Sequence, residues 1–195
     1  MIFLTANARR FCTRTQTGSQ IVEFSAALIL LVFFAFIPLL DLTIVPIRWM
    51  LAQELVNEYA RKLALCESFH QSYRTMAADP SLSTRLHRLG GVYVQSLDLR
   101  MRISRVFNYP HAPETLEVAD PTQIPADWLP DGAKAPCAYS LELNVSCFVS
   151  PAILLSDKGM SVPGLTKPFS FLITATHEWE NVGRDPVTGK FFLNE

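Results

Sequence analysis

A surplus of charge is missing from this 195-residue chain, and charge of either sign is missing from one long stretch of it. Lysine and arginine number 17 against 18 aspartates and glutamates, for a formal net charge of −1. No basic patch interleaved with aromatics occurs, so the electrostatic footprint of a nucleic-acid binder is absent. Neither a Walker sequence nor a Gly-x-Gly-x-x-Gly is found, which removes both phosphate cradles. No Gly-x-Ser-x-Gly elbow accompanies the serines and histidines. His177-Glu178-Trp179-Glu180-Asn181 departs from a zinc-protease motif, because Asn181 stands where the second histidine belongs and the segment continues a strand pattern. Cys66 and His70 lie four apart on a helical stretch, a chelating spacing, but a disulfide-bonded cysteine beside a surface histidine explains them more simply. The chain therefore predicts no catalytic residue, no metal site and no cofactor, and it shows no internal repeat or low-complexity tract.

What is present is apolar length. Residues 24–40 carry no charge, and residues 21–40 supply the roughly 20 apolar positions that a bilayer span needs at about 1.5 Å rise each. Much of the 49% hydrophobic content and the mean hydropathy of +0.20 comes from residues 21–47. Arg9, Arg10 and Arg14 precede the run, with no acidic residue before Glu23. The positive-inside rule then predicts a cytoplasmic N-terminus and an extracytoplasmic bulk. The run is longer than the roughly 7–15-residue core of a secretory signal peptide, and no clear small-x-small site follows it, so it reads as a retained anchor. Arg10-Phe11-Cys12 lacks the small residues of a lipoprotein signal.

Glu23 is the anomaly, a carboxylate at the start of an apolar helix, where a charge implies a function. Its surroundings, Gly18-Ser19-Gln20-Ile21-Val22-Glu23-Phe24 after a basic leader, resemble a class III (type IV) prepilin signal, in particular that of the Tad/Flp pilus branch. The resemblance covers the first fifth of the chain. It implies that a prepilin peptidase cuts between Gly18 and Ser19 on the cytoplasmic side, leaving Glu23 as the fifth residue of the mature protein. Loss of the leader and its arginines would leave 14 basic against 18 acidic residues, a net charge of −4. In size and layout the chain resembles a TadE- or TadF-like minor pilin, or a type II secretion pseudopilin. The partners so implied are other pilin subunits, an inner-membrane assembly platform and membrane lipid, with Glu23 and Phe24 as assembly residues. The alternative from another class is an uncleaved signal anchor carrying a binding or sensor domain.

Four segments are expected: a leader at 1–18, a membrane helix at 19–47, an amphipathic continuation at 48–79, and an extracytoplasmic domain at 80–195. Leu51, Leu55, Tyr59, Leu63, Cys66, Phe69 or His70, and Tyr73 recur at three- and four-residue spacings. Pro38 and Pro46 should kink or locally melt the helix. Asp79-Pro80 ends the pattern, and residues 81–89 followed by Gly90-Gly91 read as a short helix with a glycine stop. The period then changes to two: Leu97, Leu99, Met101 and Ile103, then Tyr139, Leu141, Leu143, Val145 and Cys147, then Phe169, Phe171, Ile173 and Ala175. A proline-rich loop with Trp128 and Leu129 separates the first two strands, a second loop at 151–168 folds back on the domain, and Phe191-Phe192-Leu193 is a possible fourth edge strand. The expected class is α+β and pilin-like, with a long N-terminal transmembrane and amphipathic helix packed on a small antiparallel sheet.

With Cys12 lost in the leader, Cys66, Cys137 and Cys147 would face an oxidising compartment, where one disulfide and one odd thiol are expected. Cys137 and Cys147 are ten apart in a largely extended stretch, roughly 30 Å at about 3.3 Å per residue. Cys66 with either partner is therefore favoured, unless a tight bend follows Cys137.

Overall fold

The computed structural model describes residues 17–105, 114–132, 135–151 and 167–195, with the backbone alone for residues 17–19 and 121. Arg9, Arg10, Arg14, Cys12, Pro110, Pro113 and most of the 151–168 stretch lie outside the described residues. Two units divide the chain, Met1–Leu40 and Asp41–Glu195.

The described residues of the first unit are helical. Helix α1 (Thr17–Leu31) runs into a π-helical turn (Val32–Phe36), and α2 (Ile37–Ala64) begins there. Pro38 accounts for the wide turn. It has no N–H to give the Phe34 carbonyl, and its ring crowds that carbonyl. The ladder adjusts one residue earlier, where the Ile37 N–H reaches back five positions to the Val32 carbonyl. Pro46 sits inside α2 without ending it, so the helix is not melted there. Phe24, Leu31 and Phe34 are exposed, and the helical run Gln20–Ala64 is long and apolar enough to cross a membrane.

In the second unit the amphipathic helix stops at Ala64 rather than continuing to residue 79. Ser68 caps the next helix, α3 (Phe69–Ala78), by accepting the Gln71 N–H at 3.2 Å, while the Gln71 side chain accepts the Glu67 N–H at 3.0 Å. That is a Ser-x-x-Gln capping box displaced by one residue. Ser72, fully buried, donates its hydroxyl at 2.8 Å to the Leu63 carbonyl, which also accepts the Cys66 N–H at 3.2 Å where α2 ends. The buried stripe of α2 is Ala52, Val56, Tyr59, Ala60 and Leu63, and Leu51, expected inside, is about half exposed. The short helix α4 (Ser81–Arg88) buries Leu82 and Leu86 and stops at Gly90 and Gly91, both at positive φ.

Four antiparallel strands follow, β1 (Val92–Arg105), β2 (Glu114–Val118), β3 (Cys137–Val149) and β4 (Phe169–Glu178), in the order β2-β1-β3-β4. Leu99 pairs with Leu143, Met101 with Leu141 and Val145 with Ile173, so one face is continuously apolar. This face joins the α2 stripe, Phe69, Leu82 and Leu86 in a single core. Each fully buried aliphatic side chain contributes about 1.5–3 kcal/mol. The other face carries Arg100 against Asp98 and Glu117, and Arg102 against Glu142. The fold is thus α+β, with a long apolar N-terminal helix and a four-stranded antiparallel sheet. The fourth strand is Glu114–Val118, inside the stretch expected to be loop. Phe191 makes only an isolated bridge to Arg184, although Phe191 and Leu193 are buried in the core.

Candidate functional site

Gly18 and Ser19 lie in the first turn of α1, whose N–H groups have no acceptor within the helix. Ser19 and Glu23 are four residues apart and so share one face a turn apart. The Glu23 side chain and Phe24 are exposed. Ser25 returns its hydroxyl to the Ile21 carbonyl at 2.8 Å, which keeps it satisfied on an apolar helix.

A second cluster closes one end of the sheet. Arg105 continues the inward parity of Leu99, Met101 and Ile103 and is buried. Its guanidinium lies 3.7 Å from the centre of the Trp128 ring, 3.0 Å from the Asp127 carboxylate and 3.6 Å from Glu114. It also donates to the Asp127 carbonyl, and Tyr139 donates its hydroxyl to the Trp128 carbonyl at 3.0 Å. One strand arginine thereby fastens the proline-rich segment to the sheet through cation–π and ionic contacts. Sequence reading missed it, although a charged residue at an inward position of a strand is itself the signal.

The cysteines do not pair: Cys66, Cys137 and Cys147 are free thiols. Cys137 and Cys147 occupy the two ends of β3, and the straight strand separates them as the extended spacing requires. Cys147 is buried in the core, and burial pushes its thiol up to about 11. No disulfide joins Cys66 to either candidate partner among the described residues.

His177 and the residues after it are structural. The His177 Nε2 lies 3.0 Å from the Asn57 carbonyl oxygen, the Trp179 indole donates to the Asn181 carbonyl at 2.8 Å, and the Asn181 amide donates to the Glu67 carbonyl at 2.7 Å. Among the described residues no three His, Cys, Asp or Glu side chains come together as metal ligands. An open cleft of about 660 Å³ is lined by residues that include Pro130, Cys137, Tyr139, Glu178, Trp179 and Glu180. The Cys137 thiol donates to the Ala135 carbonyl at 3.5 Å there.

The chain matches no family model, and no curated protein or solved structure is significantly similar to it.

Proposed function

We propose that the chain is a TadE/TadF-like minor pilin, processed between Gly18 and Ser19 and assembled into, or priming, a Tad-type pilus. One observation carries the reading. The order of basic residues, glycine, four residues, Glu23 and Phe24 stands at the head of a helix long and apolar enough to span a bilayer. A carboxylate carried into hydrocarbon is stabilised by a cation beside it. Cleavage before Ser19 creates an α-amine one turn from Glu23, in the same subunit or on a neighbour. A partner that neutralises the carboxylate contributes selectivity as well as attraction, which registers an incoming subunit. The N-terminus is then cytoplasmic, the chain is a single-pass inner-membrane protein before assembly, and the sheet domain lies outside the cytoplasm. Phe24 directly after Glu23 favours the Tad branch over a type II secretion pseudopilin.

Glu23→Ala tests the assembly step. The variant should remain in the membrane at the wild-type level and fail to support filaments in shear preparations. Normal piliation by that variant would sink the proposal.

A further inference from the structure

β2 covers β1 only from Met101 to Arg105. From Val92 to Arg100 the side of β1 away from β3 faces no strand, and its backbone groups have no hydrogen-bond partner among the described residues. The opposite edge strand differs, because Gln53 of α2 donates to the Thr174 carbonyl of β4 at 3.4 Å. An unpaired edge is a template for another strand, and folded proteins blunt it with charge, proline or a bulge. Val92-Tyr93-Val94-Gln95-Ser96-Leu97 holds no charge and no proline. A register shift between Val94 and Ser96 marks a bulge at Gln95. The bulge reverses the parity of the strand: Val92 and Val94 face the core before it, Leu97 and Leu99 after it. Val94 and Leu97 are only half-buried.

A recess lies at each end of this open run. One, of about 510 Å³, separates α4 from Val92, Tyr93 and Val94 and is lined also by His87 and Arg88. The other, of about 380 Å³, lies at Asp98 and Leu99 and is lined also by His70 and Asp120. Arg88 is exposed and makes no ion pair among the described residues. Asp120, also exposed, receives the Thr122 N–H and hydroxyl on one carboxylate oxygen, which leaves the other for a partner. Asp98 is already held by Arg100 at 2.8 Å. The edge thus has an uncommitted cation at one end and a half-committed carboxylate at the other.

We infer that the open edge of β1 pairs antiparallel with the same edge of a second copy of this chain, joining the two sheets into one. Opposed residues of an antiparallel pair share a face. The parity reversal at Gln95 therefore selects a register in which Val94 lies opposite Leu97 of the second copy, Tyr93 opposite Asp98, and Gln95 opposite Ser96. Inward apolar side chains then meet inward ones, and Val94 and Leu97 gain the cover that a lone edge denies them. A slip of one residue would set core-facing positions against solvent-facing ones. The same register brings the Arg88 recess of each copy to the Asp120 recess of the other, so the charge match is made twice about the two-fold axis of an isologous interface. Main-chain hydrogen bonds supply the attraction, and the side chains at the two ends supply the choice of partner. The contact lies wholly within the sheet unit and does not depend on processing at Gly18.

The test uses the full chain in detergent micelles, with Cys12, Cys66 and Cys137 changed to serine and Cys147 left buried. One variant carries Tyr93→Cys with Asp98→Cys, and a control carries Tyr93→Cys with Thr174→Cys; thermal unfolding confirms that each keeps the parent fold. Within one chain, positions 93 and 98 are about 16 Å apart at roughly 3.3 Å per residue, so a disulfide between them forms only across two copies. Oxidation by copper phenanthroline should give several-fold more covalent dimer in the 93/98 variant than in the control. Adding Arg88→Glu should remove most of that excess, and adding Arg88→Glu together with Asp120→Lys should restore it. Equal cross-linking in variant and control would assign the encounter to the apolar helices and overturn the edge pairing, as would the absence of dimer from both. Slow hydrogen exchange at residues 93–97 in a preparation shown to be monomeric would assign the edge to another segment of the same chain and equally overturn it.

Discussion

Arg48 Nη1 donates a 2.7 Å hydrogen bond to the carbonyl of Ser150, a residue 102 positions farther along the chain. This contact ties the helix to the end of β3, and it passes directly over Gly91. A β-carbon at Gly91 would stand 2.9 Å from Arg48 Nη1 and 3.2 Å from the Ser150 oxygen, and Gly91 has a φ of +73°. Gly90 shares the positive φ, but its nearest neighbour would be 3.9 Å away.

The pair of glycines therefore predicts an asymmetric result. Gly90→Ala carries only the left-handed backbone cost, about 1–2 kcal/mol. Gly91→Ala carries that cost and the displacement of the Arg48 side chain, so its urea midpoint should fall further. Equal midpoints for the two variants would contradict the close approach.

Thiol reactivity should separate Cys66, Cys137 and Cys147. Cys147 is buried with its thiol pushed up to about 11, whereas Cys66 and Cys137 are only half-buried. The thiolate is the reacting species. Brief iodoacetamide treatment of the folded protein at pH 8, read by peptide mass spectrometry, should modify Cys66 and Cys137 and spare Cys147 until denaturant is added. Prompt modification of Cys147 would refute its burial.

Acid should weaken the junction of α2 with α3. Lys62 bonds the Asp79 carboxylate at 2.7 Å, and the Ser81 N–H adds a second bond at 2.9 Å, which together hold Asp79 down at about 2 from the usual 3.8. A depressed carboxylate contributes stability above its unfolded pKa and loses it as pH falls through the folded one. The contribution should be full above about pH 4 and vanish toward pH 2. Asp79→Asn should lower Tm at pH 7 and converge on the wild type by pH 2, whereas a constant difference across that range would contradict the linkage.

The parts legible in the sequence were those with a clean period. The alternation of Leu99, Met101 and Ile103, of the long β3 run and of Ile173 with Ala175 specified strands because each buries one face. The stripe of α2 was misplaced by its small residues. Ala52 and Ala60 are fully buried where the helix meets the sheet, and counting only large side chains put Leu51 inside. Ser68 and Gln71 spelled the break between α2 and α3 as a capping box, but the apolar spacing ran on through them. Glu114–Val118 was hidden among prolines, with only Leu116 and Val118 facing inward to mark it. Of the candidate site, Gly18 to Phe24 is a local motif and could be read directly. The Arg105–Trp128 clamp joins residues 23 positions apart and needed the fold.

The measurement that bears most directly on the account is the N-terminus of the protein isolated from native membranes, by intact mass and N-terminal sequencing, with and without the host prepilin peptidase. The account predicts a start at Ser19 that depends on the peptidase. A start at Met1 in both strains would contradict it and leave an uncleaved signal anchor carrying the sheet domain.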